Sequence, residues 1–133
     1  MHNSQDMQQY TDRVRSAAAS GTPLAIQGNG TRAFLGRTVS GEPHSMTDYR
    51  GIIDYSPSEL VLSARAGTPL AEIEQTLAAE QQMLAFEPPA FGTTATLGGT
   101  IAAGLSGPRR PWSGAARDFV LGINCINGHG EYL

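Results

Sequence analysis

Two glycine-rich segments contain the residues whose types and spacing could bind a ligand. The first, residues 28–31, reads Gly-Asn-Gly-Thr and follows the short apolar run 24–27. The second, residues 94–104, places two adjacent glycines beside threonine hydroxyls. Glycine lets a backbone approach a ligand closely, and successive N–H groups after a strand form a nest that suits a phosphate. Two such segments in one short chain favour a single extended ligand with an anionic group.

Each segment also has a simpler interpretation. A glycine-rich tetrapeptide alone is usually a turn, and paired glycines often mark close packing between backbones. Residues 28–33 match G-x-G-x-x-A, the pattern of a dinucleotide-binding fingerprint, but that motif must open a helix. Residues 34–41 have no helical periodicity, so the sequence disfavours a Rossmann fold.

The side chains that usually perform catalysis are few and scattered. His2 lies at the terminus, His44 in a predicted loop and His129 in a predicted turn, so we predict all three at the surface. Cys125 lies within a predicted strand, where a buried thiol is favoured. No group of histidines, cysteines or carboxylates has the spacing of a metal site. The sequence therefore assigns no catalytic side chain and no metal, and it favours a bound cofactor that performs the chemistry.

The composition excludes several classes of site. The 133-residue chain has a net charge of -3, one cysteine and nine basic residues, all of them arginine. That length suits one globular domain. Without lysine there is no P-loop or Schiff-base lysine, and the acidic balance argues against a nucleic-acid surface. One cysteine excludes a disulfide framework or an iron–sulfur cluster held by this chain alone.

The sequence shows neither a targeting signal nor a membrane span. No segment reaches the roughly 18 apolar residues that a spanning helix needs. The first residues lack the apolar stretch of a signal peptide. We therefore expect a cytoplasmic protein without direct membrane insertion, and association with a membrane through partner subunits stays open.

Helical and extended patterns alternate along the chain and predict an α+β fold. Apolar spacing predicts a first helix that stops at Gly21 and a second that starts at Pro69, with Thr68 as its N-cap. A short helix is expected at 100–105, and residues 28–44 are expected to form a loop. Strands are predicted at 24–27, 52–55, 60–64, 83–86 and 119–127.

A hairpin turn is predicted near the end of the chain, at Asn127-Gly128, because this dipeptide favours tight β-turns. The returning strand would contain only residues 131–133, which leaves most of the outgoing strand 119–127 unpaired. We therefore expect the chain to be the N-terminal part of a longer protein.

Taken in order, these segments resemble the FAD-binding domain of the vanillyl-alcohol-oxidase family, also called the p-cresol-methylhydroxylase (PCMH) type. Residues 28–31 are similar to that family's pyrophosphate loop, residues 66–70 to its helix entry and residues 95–102 to its A-T-I-G-G-x-I-A segment. The resemblance covers residues 22–133 and includes the segments 106–110, 114–122 and 127–130. It implies a partial PCMH-type domain with a small αβ lobe, a boundary near residue 87 and the start of an antiparallel lobe.

The resemblance implies FAD as a non-covalent cofactor. Family members that bond flavin to histidine have that histidine where this chain has Thr31, so covalent attachment there is excluded. The pyrophosphate loop is expected to hold the diphosphate, and the paired glycines to admit the flavin. The residues expected to contact FAD are Gly28, Asn29, Gly30, Thr31, Thr96, Gly98, Gly99, Ala102, Ser106, Gly114 and Asp118.

Gln27, residues 33–37 and residues 106–110 are most similar to the flavin subunits of bacterial 2-hydroxy-acid oxidases. This resemblance implies oxidation of a small 2-hydroxy acid, with glycolate to glyoxylate as the expected reaction. Electrons would leave through partner subunits, including an iron–sulfur electron-transfer subunit. We expect the isolated chain to be inactive. A non-catalytic assembly subunit of the same complex, another FAD-linked oxidase and a plain nucleotide-binding module remain as alternatives.

Overall fold

A computed structural model describes residues 3–133, with side chains described from Met7 onward, so His2 lies outside the described residues. Helices and two small sheets confirm the α+β class in its coarse form. The helices are α1 (Asn3–Ser20), α2 (Leu70–Ala79), α3 (Leu97–Ala103) and α4 (Arg110–Ser113). The strands are β1 (Leu24–Gln27), β2 (Glu42–Ser45), β3 (Ile52–Ser56) and β4 (Val61–Ala64).

The chain divides into two compact units. Unit 1 comprises the chain up to Ile26 together with Arg37–His44 and Gly122–Leu133, and unit 2 comprises Gln27–Gly36 and Ser45–Leu121. Both glycine-rich segments lie in unit 2. The lobe boundary near residue 87 stays a prediction. Among the described residues, no helix is both long and apolar enough to cross a membrane.

Unit 1 is built on α1. Met7, Tyr10 and Ala17 recur at helical spacing and are all buried, as the periodicity predicts. The helix ends where expected, because Gly21 adopts a φ of +67° and the Thr22 N–H donates to the carbonyl of Ala17 at 2.9 Å. β2 in this region was not predicted, since Glu-Pro-His-Ser has no strand-like alternation of apolar residues.

The predicted turn at Asn127-Gly128 is confirmed. The Asn127 side chain accepts hydrogen bonds from the N–H groups of His129 and Glu131, at 2.9 and 3.0 Å. Beyond the turn, Cys125 and Leu133 exchange two backbone hydrogen bonds of 2.9 and 2.8 Å. The hairpin therefore forms, but it is paired only from Cys125 onward within the described chain.

Two predictions at the start of this hairpin are wrong. Residues 120–125 have no regular secondary structure, so the strand 119–127 does not form as a unit. Cys125 is exposed rather than buried. Both errors have the same cause: a strand needs a paired neighbour and a covering layer, and the apolar pattern of residues 119–127 supplies neither.

Unit 2 contains the antiparallel hairpin β3–β4. Its register pairs Ile52 with Ala64 and Ser56 with Val61, around a 3₁₀ turn at Pro57–Glu59. Leu60 closes the turn in a left-handed conformation, with φ of 57°. Both strands were predicted to within one residue, because a proline turn separates two β-prone runs.

α2 and α3 correct two predicted helix starts. α2 begins at Leu70 rather than Pro69, although its buried residues Leu70, Ile73 and Leu77 are those that the spacing predicts. α3 begins at Leu97 rather than residue 100. The strand predicted at 83–86 is absent, and Phe86 is instead a buried residue in a turn. An apolar run of four residues does not by itself distinguish a strand from a buried loop.

Thr68 is not the N-cap that the sequence predicts. Its side chain is fully buried; the hydroxyl donates to the carbonyl of Arg65 at 2.7 Å and accepts from the N–H of Gly51 at 2.9 Å. The residue therefore links the β3–β4 hairpin to the start of α2. This link fixes the segment 66–70 on which the second glycine-rich segment packs.

We expect Thr68→Val to lower the free energy of unfolding by about 1–3 kcal/mol, because it leaves the half-buried Gly51 N–H without its acceptor and removes a buried hydroxyl's hydrogen bonds. Valine keeps the shape of threonine, so the loss isolates the hydrogen bonds. Thr76→Val is the matched control, since its hydroxyl bonds only to the helical carbonyl of Glu72 on an exposed surface. Urea unfolding of both variants measures the difference, and equal midpoints would contradict this role of Thr68.

Candidate functional site

The second glycine-rich segment lies along the entry to α2. Three backbone hydrogen bonds join them: Leu70 N–H to Ala95, Leu97 N–H to Thr68, and Gly98 N–H to Ala66, at 2.7–2.9 Å. A strand-like bridge also pairs Pro69 with Thr96. The segments 66–70 and 95–98, which the family resemblance singles out separately, are therefore one structural element.

The first glycine-rich segment lies directly against the second. A Cβ at Gly28 would overlap the hydroxyl oxygen of Thr96 and lie 3.2 Å from its methyl carbon, so only glycine permits this approach. The side-chain amide of Asn29 donates to the carbonyl of Thr94 at 2.9 Å. Segments about 65 residues apart in sequence thus meet in unit 2, as expected for two parts of one binding site.

The loop after Gly28 presents free backbone donors. The N–H groups of Asn29, Gly30 and Thr31 donate to no acceptor among the residues that the structure describes. Gly30 has a φ of +69°, a left-handed conformation that glycine adopts without strain. Consecutive free N–H groups in such a turn form a concave donor set for an anion.

The N–H groups of the paired glycines Gly98 and Gly99 already donate to acceptors within the protein. The lack of a Cβ at these positions is therefore what allows close packing there. Gly98 N–H donates to Ala66, and Gly99 N–H donates to the hydroxyl of Thr96 at 3.3 Å. A Cβ at Gly98 would lie 2.8 Å from that of Ala66, so Gly98 allows the α2 entry to pack closely. A Cβ at Gly99 would lie 3.2 Å from the Thr96 hydroxyl and 3.8 Å from Nη1 of Arg32.

Thr96 is the N-cap of α3, and its side chain is buried between the two glycine-rich segments. Its hydroxyl accepts from Gly99, and its carbonyl accepts from the hydroxyl of Thr100 at 2.8 Å. From the sequence, Thr96 is expected to contact FAD. In the structure its side chain lies against Gly28 and accepts the hydrogen bond of the Gly99 N–H.

The other predicted site residues form a second cluster. The Ser106 hydroxyl accepts from the N–H of Ala116 at 2.9 Å, and the Asp118 carboxylate accepts from the N–H of Ala115 at 2.7 Å. Gly114 directly precedes Ala115 and has a φ of +100°. No hydrogen bond or ion pair of the described residues joins this cluster to the loop 28–31.

Ala102 stands apart from both groups of predicted site residues. It lies on an exposed face of α3, with no side-chain group to donate or accept a hydrogen bond. Its side chain is a single methyl group, which leaves room beside the helix.

Arg32 is a residue of this site that the sequence analysis missed. Its Nη2 donates to the carbonyl of Pro89 at 2.5 Å and to the hydroxyl of Thr100 at 3.2 Å. Its Nε is buried and has no hydrogen-bond partner. Burial lowers the pKa of the guanidinium from its ordinary value, although it stays charged at neutral pH. Its position directly after the loop 28–31 is the feature of the sequence that could have identified Arg32 as a site residue.

Two exposed aromatic rings accompany Arg32. Phe34 and Phe91 meet edge to face, with ring centroids 5.1 Å apart. The Arg32 guanidinium lies over Phe91, 5.8 Å from the ring centroid. Phe91 has a φ of +49°, a costly conformation for an aromatic residue, and strained residues of this kind cluster at functional sites.

The two described histidines, His44 and His129, lie outside the unit that carries these loops. His44 is half-buried in unit 1, edge to face with Tyr10, and its pKa is lowered by burial and by the charge of Arg13. His129 is exposed in the hairpin turn of unit 1, as predicted. Among the described residues no three histidine, cysteine or carboxylate side chains are grouped to hold a metal ion.

A separate groove of about 440 Å³ lies elsewhere in unit 2, lined by α2 and the residues that follow it, including Met83 and Glu87. Glu87 pairs there with Arg109, which donates from Nε at 2.8 Å and from its backbone N–H at 3.1 Å. Together with the Gly107 N–H, which donates to the carbonyl of Phe86 at 3.0 Å, the pair holds the segment 107–109 against residues 86–87.

Known proteins match almost the whole chain. Residues 4–133 match the family described as FAD binding domain. The chain is also similar to glycolate oxidase subunit GlcE of Escherichia coli (strain K12), with 52% identity over 126 residues. That alignment covers 95% of this chain and 36% of the relative, so the chain spans about a third of the length of the curated relative it matches.

Proposed function

This chain belongs to the family of FAD-binding domains, and from that premise we propose that it is the FAD-binding part of a flavin-dependent oxidoreductase that converts glycolate to glyoxylate. The family confirms the prediction of FAD as cofactor. The identity of 52% with a glycolate oxidase subunit is the observation that carries the substrate proposal.

The residues of the loop fit the diphosphate of FAD. Asn29, Gly30 and Thr31 present consecutive N–H groups without protein acceptors, and a diphosphate oxygen is an acceptor for such groups. The absence of a Cβ at Gly28 keeps this loop against Thr96. The site therefore offers both donors and close backbone approach, which a phosphate-bearing ligand requires.

The bound FAD would accept a hydride from the hydroxyl-bearing carbon of the substrate. The role of this chain is to hold and orient that cofactor: the loop 29–31 binds the diphosphate, and Gly99 leaves space beside it. We propose that Ser106, Gly114 and Asp118 shape the ribityl or adenosine side through the backbone at Ala115–Ala116, where their hydrogen bonds are made.

Oxidation of a substrate by bound FAD would need an electron acceptor to restore the cofactor. This chain has one cysteine, so it cannot supply the thiolates of an iron–sulfur cluster. We propose that other oxidase subunits, one of them an iron–sulfur electron-transfer subunit, receive the electrons. We further propose a cytoplasmic complex that reaches a membrane only through those partners.

An FAD titration of the purified chain tests the proposal. We expect the fluorescence of FAD to be quenched in a saturable way when the cofactor binds to the chain. FMN, which lacks the adenosine and the diphosphate, is expected to bind much more weakly. Saturation with ATP or NAD but not FAD would favour a plain nucleotide-binding module. Failure to bind any flavin would favour an assembly subunit, a role consistent with the absence of histidine from unit 2.

The flavin is expected to be held without a covalent bond, because Thr31 cannot form the histidyl linkage at that position. Acid precipitation of the FAD-loaded chain should therefore release all yellow colour into the supernatant. The measurement is the flavin absorbance of pellet and supernatant. Colour that stays with the washed pellet would contradict this prediction.

A further inference from the structure

We propose that Arg32 is a ligand of the FAD diphosphate and supplies the positive charge that the loop 28–31 itself lacks. This inference rests on the proposed function, because it adds a residue to the same cofactor site. It follows from three features of Arg32: its incomplete hydrogen bonding, its lack of a carboxylate partner and its position.

The guanidinium of Arg32 is only partly satisfied by the protein. Nη2 donates to two neutral oxygens, of Pro89 and Thr100. Neither Nη1 nor Nε has a hydrogen-bond partner among the described residues. A buried donor without an acceptor costs free energy unless a ligand or water supplies one.

The charge of Arg32 is also uncompensated. No carboxylate of the described residues forms an ion pair with it, whereas Arg109 pairs with Glu87 and Arg117 lies near Asp118. A partly desolvated cation normally has an anionic neighbour. The missing anion is therefore expected to come from a ligand.

The position of Arg32 identifies that ligand. It follows Thr31 directly in the loop, and its Nη1 lies 3.8 Å from where a Cβ of Gly99 would be. The charge thus lies against the second glycine-rich segment, on the residue that directly follows the free N–H groups of residues 29–31 in the chain. A diphosphate bound to those groups would reach both the donors and the cation.

Phe91 holds the guanidinium in this place. The ring centroid of Phe91 lies 5.8 Å from Cζ of Arg32. The two hydrogen bonds of Nη2 fix the guanidinium to Pro89 and Thr100. A guanidinium that is oriented before the ligand arrives loses less conformational entropy on binding.

The experiment compares FAD with riboflavin, which has the same ring system but no phosphate. Arg32→Gln is expected to weaken FAD binding about 10- to 100-fold, the range for a hydrogen bond to a charged group, and to leave riboflavin binding unchanged. Arg32→Lys should restore part of the FAD affinity, since it keeps the charge without the planar fork. Arg37→Gln, in an exposed position, is the matched control and should bind FAD as the parent does.

The ratio of FAD to riboflavin affinity decides the outcome, because a loss of folding would lower both alike. A reduced ratio for Arg32→Gln, with a weaker salt dependence of FAD binding, supports the proposal. An unchanged ratio overturns it, and if glycolate binding is also unchanged Arg32 is a structural residue. A parent chain that binds no FAD would instead overturn the proposed function. A ratio that is unchanged while glycolate binding weakens would assign Arg32 to the substrate carboxylate and likewise overturn the proposal.

Discussion

The Gly28→Ala variant is expected to bind FAD about 10- to 100-fold more weakly than the parent chain. A Cβ at this position would overlap the hydroxyl of Thr96, which is only 3% exposed and has little room to move. Relief of the overlap requires the loop 28–31 to shift. That shift displaces the free N–H groups of residues 29–31 from the place where we propose the diphosphate binds. Fluorescence titration with FAD measures the loss.

A second substitution tests whether steric overlap is the cause. In the double variant Gly28→Ala/Thr96→Ala, the hydroxyl and methyl of Thr96 that crowd the new methyl are gone, and the Thr96 Cβ lies at the ordinary distance of 3.4 Å from it. This variant should bind FAD as well as Thr96→Ala alone does, so the two substitutions should be strongly non-additive. Additive losses would contradict the steric explanation.

Gly122→Ala is the control for a glycine substitution without steric consequence. A Cβ there has no neighbour within 4 Å, and its φ is not in the left-handed region. We expect FAD affinity and the thermal midpoint to change little, since alanine fits such a position. If Gly28→Ala also binds FAD like the parent, the loop 28–31 does not hold the cofactor.

The sequence predicts well the features that depend on neighbours along the chain. The buried faces of α1 and α2 follow from apolar spacing, as Tyr10 and Ile73 illustrate, because a helix brings residues three and four apart to one side. The turn at Asn127-Gly128 follows from backbone preferences of two residues. The strand predicted at 83–86 failed because strand formation depends on a partner elsewhere in the chain.

Some features of the candidate site could be predicted from the sequence, and others could not. That the two glycine-rich segments meet was expected from the single-ligand interpretation, and the contact between Gly28 and Thr96 is the structural counterpart. The partners of Arg32 could not be predicted, since Pro89 and Thr100 are 57 and 68 residues away in sequence. Nor could the sequence show that the N–H groups of Gly98 and Gly99 are already engaged within the protein.

The isolated chain is expected to oxidise glycolate at least about 100-fold more slowly than the native oxidase complex, even when saturated with FAD. A positioned general base alone typically contributes 10²–10⁴-fold to such a rate. Unit 2, which carries both glycine-rich segments, contains no histidine, and the chain contains no lysine. The obvious candidates for that base are therefore absent from the part of the chain that we propose holds the flavin.

The length of the chain leads to the same expectation. The match with the glycolate oxidase subunit covers 36% of that protein, so most of the relative has no counterpart in the aligned region. Catalysis needs the substrate oriented against the flavin and water excluded from it, and we propose that other segments or subunits provide both. The two observations together predict binding without turnover.

Anaerobic bleaching of the bound flavin by glycolate measures this directly, because it requires only hydride transfer and no electron acceptor. The FAD-loaded chain should stay yellow over the time in which the native complex bleaches completely. Dithionite is the control, since it should reduce the flavin in both samples and show that the cofactor is redox-active. Rapid bleaching of the isolated chain by glycolate would mean that these 133 residues contain the substrate site and its base. It would then direct the search to the carboxylates of unit 2, such as Glu87 and Asp118, as the proton acceptor.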